Sequence, residues 1–126
     1  MNRGDVYLVN FDPAIGQEIQ KTRPAVIVSN DISNTKLERV QVVPITSKAA
    51  KIYLSEAKTT INGIEGKATA SQITTVSHQR MIKKLGTLTA IEMQNIDEAI
   101  QRVEKQLEQE GNEILFVRGC WVVDSD

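Results

Sequence analysis

The 126 residues predict a mainly β, α+β fold: a small, strongly bent sheet or partly open barrel with a C-terminal amphipathic helix packed against it. Two patterns carry that expectation. Short runs of β-forming residues recur up to residue 88, in irregular order and broken by turn formers, and one clear helical period follows them. At 40% hydrophobic and 25% charged residues the composition is that of one soluble globular domain. Its parts are a β-barrel portion (1–88), a helix (89–111) and an apolar tail (112–126).

Asp5 to Phe11 opens the sheet, because Val6, Tyr7, Leu8 and Val9 are strand formers and Asp12-Pro13 stops them. Asp12 to Lys21 reads as a loop hinged at Gly16. In Pro24 to Ser29, the continuous Ala25-Val26-Ile27-Val28 predicts a strand buried on both faces. Asn30-Asp31 ends that run, since both side chains favour turns. Strand character resumes over Val40 to Thr46, where Pro44 lacks an amide donor and so marks an edge position or a bulge. Ile52 to Leu54, Lys67 to Val76 and Lys83 to Leu88 complete the predicted strands.

Thr89-Ala90-Ile91-Glu92 matches a capping box. Met93, Ile96, Ile100, Val103 and Leu107 then fall on one face, and Gly111 suits the position after the last turn, which predicts a helix from Ala90 to Glu110. Ile114 to Val123 reads either as one more strand or as a surface that a second subunit or partner covers.

Fifteen Lys plus Arg stand against 16 Asp plus Glu, a formal net charge of −1, which argues against a broadly basic coat for nucleic acid. The charge is unevenly spread. Residues 1–88 hold 12 basic and 7 acidic side chains, a net of +5, while residues 89–126 hold 3 and 9, a net of −6. The barrel portion is therefore the half suited to a phosphate backbone. One cysteine, Cys120, and one histidine, His78, supply neither a disulfide framework nor a zinc site. The aspartates lack the spacing of a cation loop, so no metal and no cofactor are expected. No stretch approaches the ~20 apolar residues of a membrane span. The N-terminal apolar run is also too short for a signal-peptide core, so a cytoplasmic protein with no membrane partner is expected.

Lys21-Thr22-Arg23-Pro24 is the most informative stretch. Proline holds the residue before it extended, so Arg23 sits at the mouth of a buried strand on a rigid mount. A planar guanidinium loses less entropy on meeting a phosphate when its backbone is already fixed. Taken alone, Arg-Pro before a strand is a weak signal, and Arg23 reads first as a surface charge.

The motifs gain meaning in order: Arg3-Gly4-Asp5-Val6-Tyr7, Asp12-Pro13, Gly16-Gln17-Glu18, Thr22-Arg23-Pro24, Ser29-Asn30-Asp31, Val43-Pro44-Ile45-Thr46-Ser47 and Ser71-Gln72-Ile73-Thr74-Thr75. From about Asn2 to Leu107 the chain resembles the MazF/PemK family of toxin endoribonucleases. The resemblance implies a compact SH3-like barrel that forms a homodimer, cuts single-stranded RNA without a metal, and is restrained by a cognate antitoxin. It places the catalytic pair on Arg23 and Thr46. It further implies attack by a ribose 2′-hydroxyl on the adjacent phosphate, leaving a 2′,3′-cyclic phosphate. Gln17, Glu18, Ser47, Lys48, Gln72 and Thr74 are the candidate RNA contacts. The chain departs from the pattern at Thr74, where many relatives carry Arg, and at Gln17, where some carry His.

The chemistry of the residues agrees with that assignment. Phosphoryl transfer builds negative charge on phosphate oxygens, which a fixed Arg23 meets with several donors. Thr46 adds a hydroxyl, and Ser47 offers another. The proton acceptor is less plain. His78 is the one side chain that titrates near neutrality unperturbed, and it reads either as functional or as a solvated turn histidine. Glu18 is the alternative, unless it serves as a charge partner for Lys21 or Arg23; Arg23 itself is a poor base. Gln72 reads either as an RNA contact or as a buried structural amide. Lys48, Lys51, Arg80, Lys83 and Lys84 either add charge along the RNA path or are solvated. Aromatics are few, namely Tyr7, Phe11, Tyr53, Phe116 and Trp121, so recognition is expected to rest on polar contacts to base edges. Two other readings stand beside the nuclease. One is a non-catalytic binder on the same fold, like the related barrels that poison DNA gyrase, suggested by the apolar tail. The other is a degenerate relative that only binds its antitoxin, suggested by Thr74.

Overall fold

The computed structural model describes residues 1–11, 22–47, 51–109, 113–117 and 120–124, as backbone from residue 106 onward. One seven-stranded sheet contains β1 (Asp5–Asn10), β2 (Thr22–Ile27), β3 (Arg39–Thr46), β4 (Glu56–Ile61), β5 (Ile64–Thr69), β6 (Thr74–Ser77) and β7 (Met81–Thr87). The strand order is β4-β5-β3-β2-β1-β7, with β6 also paired to β3. Every pairing is antiparallel.

A short helix, α1 (Asp31–Lys36), stands where a simple turn was expected. Asn30 is its N-cap, accepting the Ser33 amide at 2.8 Å, and Asp31 complements the first turn. The short polar side chains that favour turns also satisfy the free amides of a helix start, so local sequence alone did not separate the two outcomes. Beneath α1 the Ser29 hydroxyl donates to Asn34 and accepts the Gln41 amide at 3.1 Å, which fixes the turn between β2 and β3.

Pro44 marks neither an edge nor a bulge. β3 pairs with β2 along one side, Ala25 opposite Pro44. Along its other side β3 pairs with β6 as far as Val42, then with β5 from Ile45. Val28 donates to the Gln41 carbonyl at 2.9 Å, so the backbone polar groups of Gln41 face β2. By alternation the nitrogen of Pro44 faces the opposite way, into the fork between β6 and β5, where no donor is required.

The expected strand over Ile52 to Leu54 is loop, and β4 begins after it. β4 was hidden by its composition, since Lys58, Thr59 and Thr60 carry no apolar alternation. Its hairpin with β5 turns at Asn62 (φ 51°) and Gly63 (φ 79°), the left-handed pair that a two-residue turn between twisted strands requires. The single run expected from Lys67 to Val76 is split by a 3₁₀ turn, Ala70–Gln72. The hairpin tip then curls onto β7: the Asn62 amide donates to the Leu85 carbonyl at 3.0 Å, and Ile61 packs against Gly86, where a Cβ would stand 3.3 Å from its Cγ2. This contact bends the sheet into the expected partly open barrel.

Both faces of the sheet are buried. One face carries Val6, Val26, Val43, Ile45 and Ala68 beneath α2 (Ala90–Gln109), which contributes Met93 and Ile96. The other carries Val9, Ala25, Ile27, Val40, Val42 and Val76. The apolar run in β2 thus feeds two cores, as predicted. The capping box forms as well: the Glu92 amide donates to Thr89 Oγ1 at 3.2 Å and the Thr89 amide to Glu92 Oε1 at 3.0 Å. Arg3 locks the helix to the N-terminal edge through Asp97 at 2.5 Å. Glu110 and Gly111, where the helix was expected to end, lie outside the described residues. The tail yields two strands rather than one, β8 (Glu113–Val117) and β9 (Cys120–Asp124), paired with each other with Ile114 opposite Val123.

Candidate active site

The register of three strands assembles the site. In β2 and β3, Ile27 faces Val42, Val26 faces Val43 and Ala25 faces Pro44. The ladder ends at that pair; continued two residues beyond it, the same register projects Arg23 toward Thr46, and across β3 Thr46 is paired with Lys67 of β5. Side chains alternate along strands, so Arg23 shares the face of Ala25 and Thr46 that of Pro44, which puts Arg23, Thr46 and Lys67 on one face of three adjacent strands, hereafter the row. Cross-strand neighbours of this kind have Cα atoms about 5 Å apart.

Each member of the row differs in its partners. Arg23 is exposed and makes no ion pair among the described residues. Thr46 Oγ1 is buried without a hydrogen-bond partner among them. A buried, unpaired hydroxyl is costly, and a ligand oxygen at this point would relieve that cost. Lys67 is pinned: its ammonium lies 3.1 Å from Glu56 and 3.2 Å from the Lys51 carbonyl. The sequence reading missed both Lys67 and Glu56. Alternation of Lys67 and Thr69 about the buried Ala68 was the available signal, but their partner strand β4 was not recognised.

Glu56 anchors the loop that leads into β4. Burial pushes its pKa up, but the Tyr53 amide at 3.0 Å, Lys67 and the Thr69 hydroxyl at 3.3 Å together hold it below the ordinary 4.5. Asp5 behaves alike. Burial raises its pKa, yet the Asn2 amide, Lys84 and Thr87 bring it below 3.8. Both carboxyls therefore contribute stability that is complete above their unfolded pKa values and is lost as pH falls through the lower folded ones. The melting temperature is expected to fall between about pH 5 and about pH 3, and Glu56→Gln is expected to flatten that fall. An acid titration followed by circular dichroism checks this; an unchanged slope in Glu56→Gln contradicts it.

The remaining candidates divide by position. Ser47 lines an apolar cleft with Pro24, Ile45 and Leu85, apart from the row. Gln72 is exposed in the 3₁₀ turn that spans the fork beside Pro44, so it is not a buried structural amide. Thr74 is exposed opposite Val42, on the same face as Thr46 but four residues back along β3, roughly 13 Å away. Gln17, Glu18 and Lys48 lie outside the described residues. His78 is excluded from the row by place. Its amide bonds the Glu38 carbonyl at 2.9 Å, next to the start of β3, whereas Thr46 ends that strand roughly 25 Å away. Nor is it a solvated turn histidine, because Nε2 is buried without a partner among the described residues. Arg80 donates to the Asn10 carbonyl at 3.2 Å and Lys84 pairs with Asp5 at 3.3 Å, so these two hold β7 to β1. Among the described residues no three His, Cys, Asp or Glu side chains converge as metal ligands, and no helix is long and apolar enough to cross a membrane.

The family model for the PemK-like, MazF-like toxin of type II toxin–antitoxin systems matches residues 2–103. The chain is 41% identical over 110 residues to endoribonuclease MazF9 of Mycobacterium tuberculosis, covering 80% of this chain and 93% of that protein. It is 32% identical over 106 residues to endoribonuclease EndoA of Bacillus subtilis, covering 80% and 91%. Among solved structures, a mycobacterial endoribonuclease in complex with its cognate antitoxin superposes with a TM-score of 0.69 at 22% identity, covering 82% of this chain and 93% of that one.

Proposed function

Because this chain belongs to the PemK-like, MazF-like toxin family of type II toxin–antitoxin systems, we propose that it is a sequence-selective endoribonuclease that cuts single-stranded RNA without a metal. The observation that carries this reading is the row formed by Arg23, an exposed cation with no ion pair among the described residues, and Thr46, a buried hydroxyl with no hydrogen-bond partner among them. Its curated relatives MazF9 and EndoA are endoribonucleases, and they align with most of this chain.

The ribose 2′-hydroxyl attacks the adjacent phosphorus, a P–O bond to the 5′-oxygen of the next nucleotide breaks, and a 2′,3′-cyclic phosphate remains. Arg23 offers its guanidinium fork to the non-bridging oxygens as their charge grows, and Thr46 donates its hydroxyl to the same group. These donors are set by strand register before substrate arrives, so little reorganisation opposes the reaction. With His78 distant, Glu18 in the segment leading to Arg23 is the candidate acceptor of the 2′-proton. Gln72 and Thr74 contact RNA further along the groove. The protein acts in the cytoplasm as a homodimer, and an antitoxin restrains it by covering these donors; the mycobacterial structural neighbour is itself in complex with its cognate antitoxin. The alternative of a non-catalytic poison gives no role to the alignment of Arg23 with Thr46.

The mechanism has a direct chemical test. An RNA oligonucleotide with a single 2′-deoxy residue on the 5′ side of the scissile linkage is expected to resist cleavage completely, while the all-ribose strand is cut. Cleavage of the deoxy-substituted linkage contradicts 2′-hydroxyl attack.

A further inference from the structure

Beside the row lies an aromatic side chain with no evident role in the fold. Tyr53, in the loop before β4, is 57% exposed, and its neighbours Ile52 and Leu54 are 41% and 77% exposed. Exposed apolar residues in succession add nothing to the core. The loop is nevertheless held in place: the Tyr53 amide is bound by Glu56 at 3.0 Å, and the Arg102 guanidinium reaches the Leu54 carbonyl at 3.4 Å. The ring has two cationic neighbours, with Lys51 Nζ 5.2 Å and Lys67 Nζ 5.5 Å from its centroid. Lys67 is the residue paired across the sheet with Thr46. Lys67 thus links Thr46 of the row to an exposed aromatic ring.

Resting on the endoribonuclease reading, we propose that Tyr53 is a stacking platform for a base of the RNA strand close to the cut, with Lys51 taking an adjoining phosphate. A nucleotide joins a flat π surface to a phosphate, and the pairing of an aromatic ring with the ammonium of the exposed Lys51 matches both. Lys67 is fixed by Glu56 and orients the ring from below; Lys51, with no ion pair among the described residues, is free to turn to a phosphate when a base displaces it. The flanking cations favour a polyanion over an apolar protein partner at this loop. Stacking on a tyrosine is sequence-tolerant, since every base has a π face, so Tyr53 adds affinity while base edges are read elsewhere.

The experiment uses the full chain and two readouts. In steady-state cleavage of an RNA containing the mapped site, Tyr53→Ala is expected to raise KM about tenfold with kcat within about twofold, and Tyr53→Phe to retain the wild-type KM. Lys51→Ala is expected to reduce the salt dependence of KM by about one charge. In the second readout, a non-cleavable oligonucleotide bearing 2′-deoxy at the cut and 2-aminopurine at successive neighbouring positions is expected to be quenched at one position by wild type but not by Tyr53→Ala. An unchanged KM and unchanged quenching in Tyr53→Ala overturn the platform while leaving the nuclease reading intact. A changed sedimentation profile of Tyr53→Ala with RNA binding unaffected also overturns it, assigning the loop to a protein interface. Absence of RNA cleavage by the wild type defeats the nuclease reading itself, and the quenching assay then reports on the platform independently.

Discussion

Arg23→Ala and Thr46→Val each lower the single-turnover rate of RNA cleavage by about 10²- to 10³-fold, the cost of removing one preorganised donor from a site of developing charge. The two variants are informative because, among the described residues, the exposed Arg23 has no ion pair and the Thr46 hydroxyl no hydrogen bond to lose. Stability is therefore expected to change by no more than about 0.5 kcal/mol in Arg23→Ala, and to stay equal or rise slightly when valine replaces the unpaired hydroxyl of Thr46. Loss of activity without loss of stability is the signature of a group kept for its ligand. Parallel cleavage kinetics and urea denaturation measure both quantities. A Thr46→Val protein with full activity contradicts its assignment.

Gly66→Ala is expected to damage fold and activity together. A Cβ at Gly66 would stand 2.6 Å from the Thr46 carbonyl oxygen and 3.1 Å from Ile45 Cγ2. The first of these is backbone and cannot rotate away, so β5 must part from β3 at the very pair that presents Thr46 to the substrate. Overpacking of this kind costs on the order of 1–3 kcal/mol. The accompanying shift of Thr46 by a fraction of an ångström to an ångström is expected to cost about 10²-fold in rate, since catalysis depends steeply on position. Gly86→Ala is the matched control. Its Cβ would meet only the Ile61 side chain, at 3.3 Å and 3.5 Å, which can give way. Thermal melts and cleavage rates of the two variants check the contrast, and equal effects at both positions contradict it.

The elements that the sequence displayed clearly are those where local chemistry and tertiary demand coincide. The capping box at Thr89 and Glu92 formed as read, because its hydrogen bonds close within one turn. The apolar run of β2 signalled burial on both faces because two cores need it. Pro44 was misjudged for the opposite reason: an amide is dispensable wherever a strand changes partner, and no local pattern shows where that happens. β4 was overlooked although Asn62-Gly63 announces a hairpin, since its strand residues are threonines and a lysine. Without β4, and with β5 and β6 merged into one run from Lys67 to Val76, the partner of Thr46 was invisible, and with it the roles of Lys67 and Glu56 and the setting of Tyr53. Arg23 and Thr46 were legible through family resemblance, but that they share a face of adjacent strands is a matter of register, which only pairing reveals.

The central claim is that the donors on β2 and β3 cut RNA unaided by a metal. The most direct measurement incubates the purified chain with a long RNA of mixed sequence in excess EDTA and maps both new ends of every fragment. The expected result is cuts at one recurrent short sequence, 2′,3′-cyclic phosphate on the upstream fragments, 5′-hydroxyl on the downstream ones, and no cuts with Arg23→Ala. Cleavage that EDTA abolishes, or an unchanged pattern with Arg23→Ala, contradicts it.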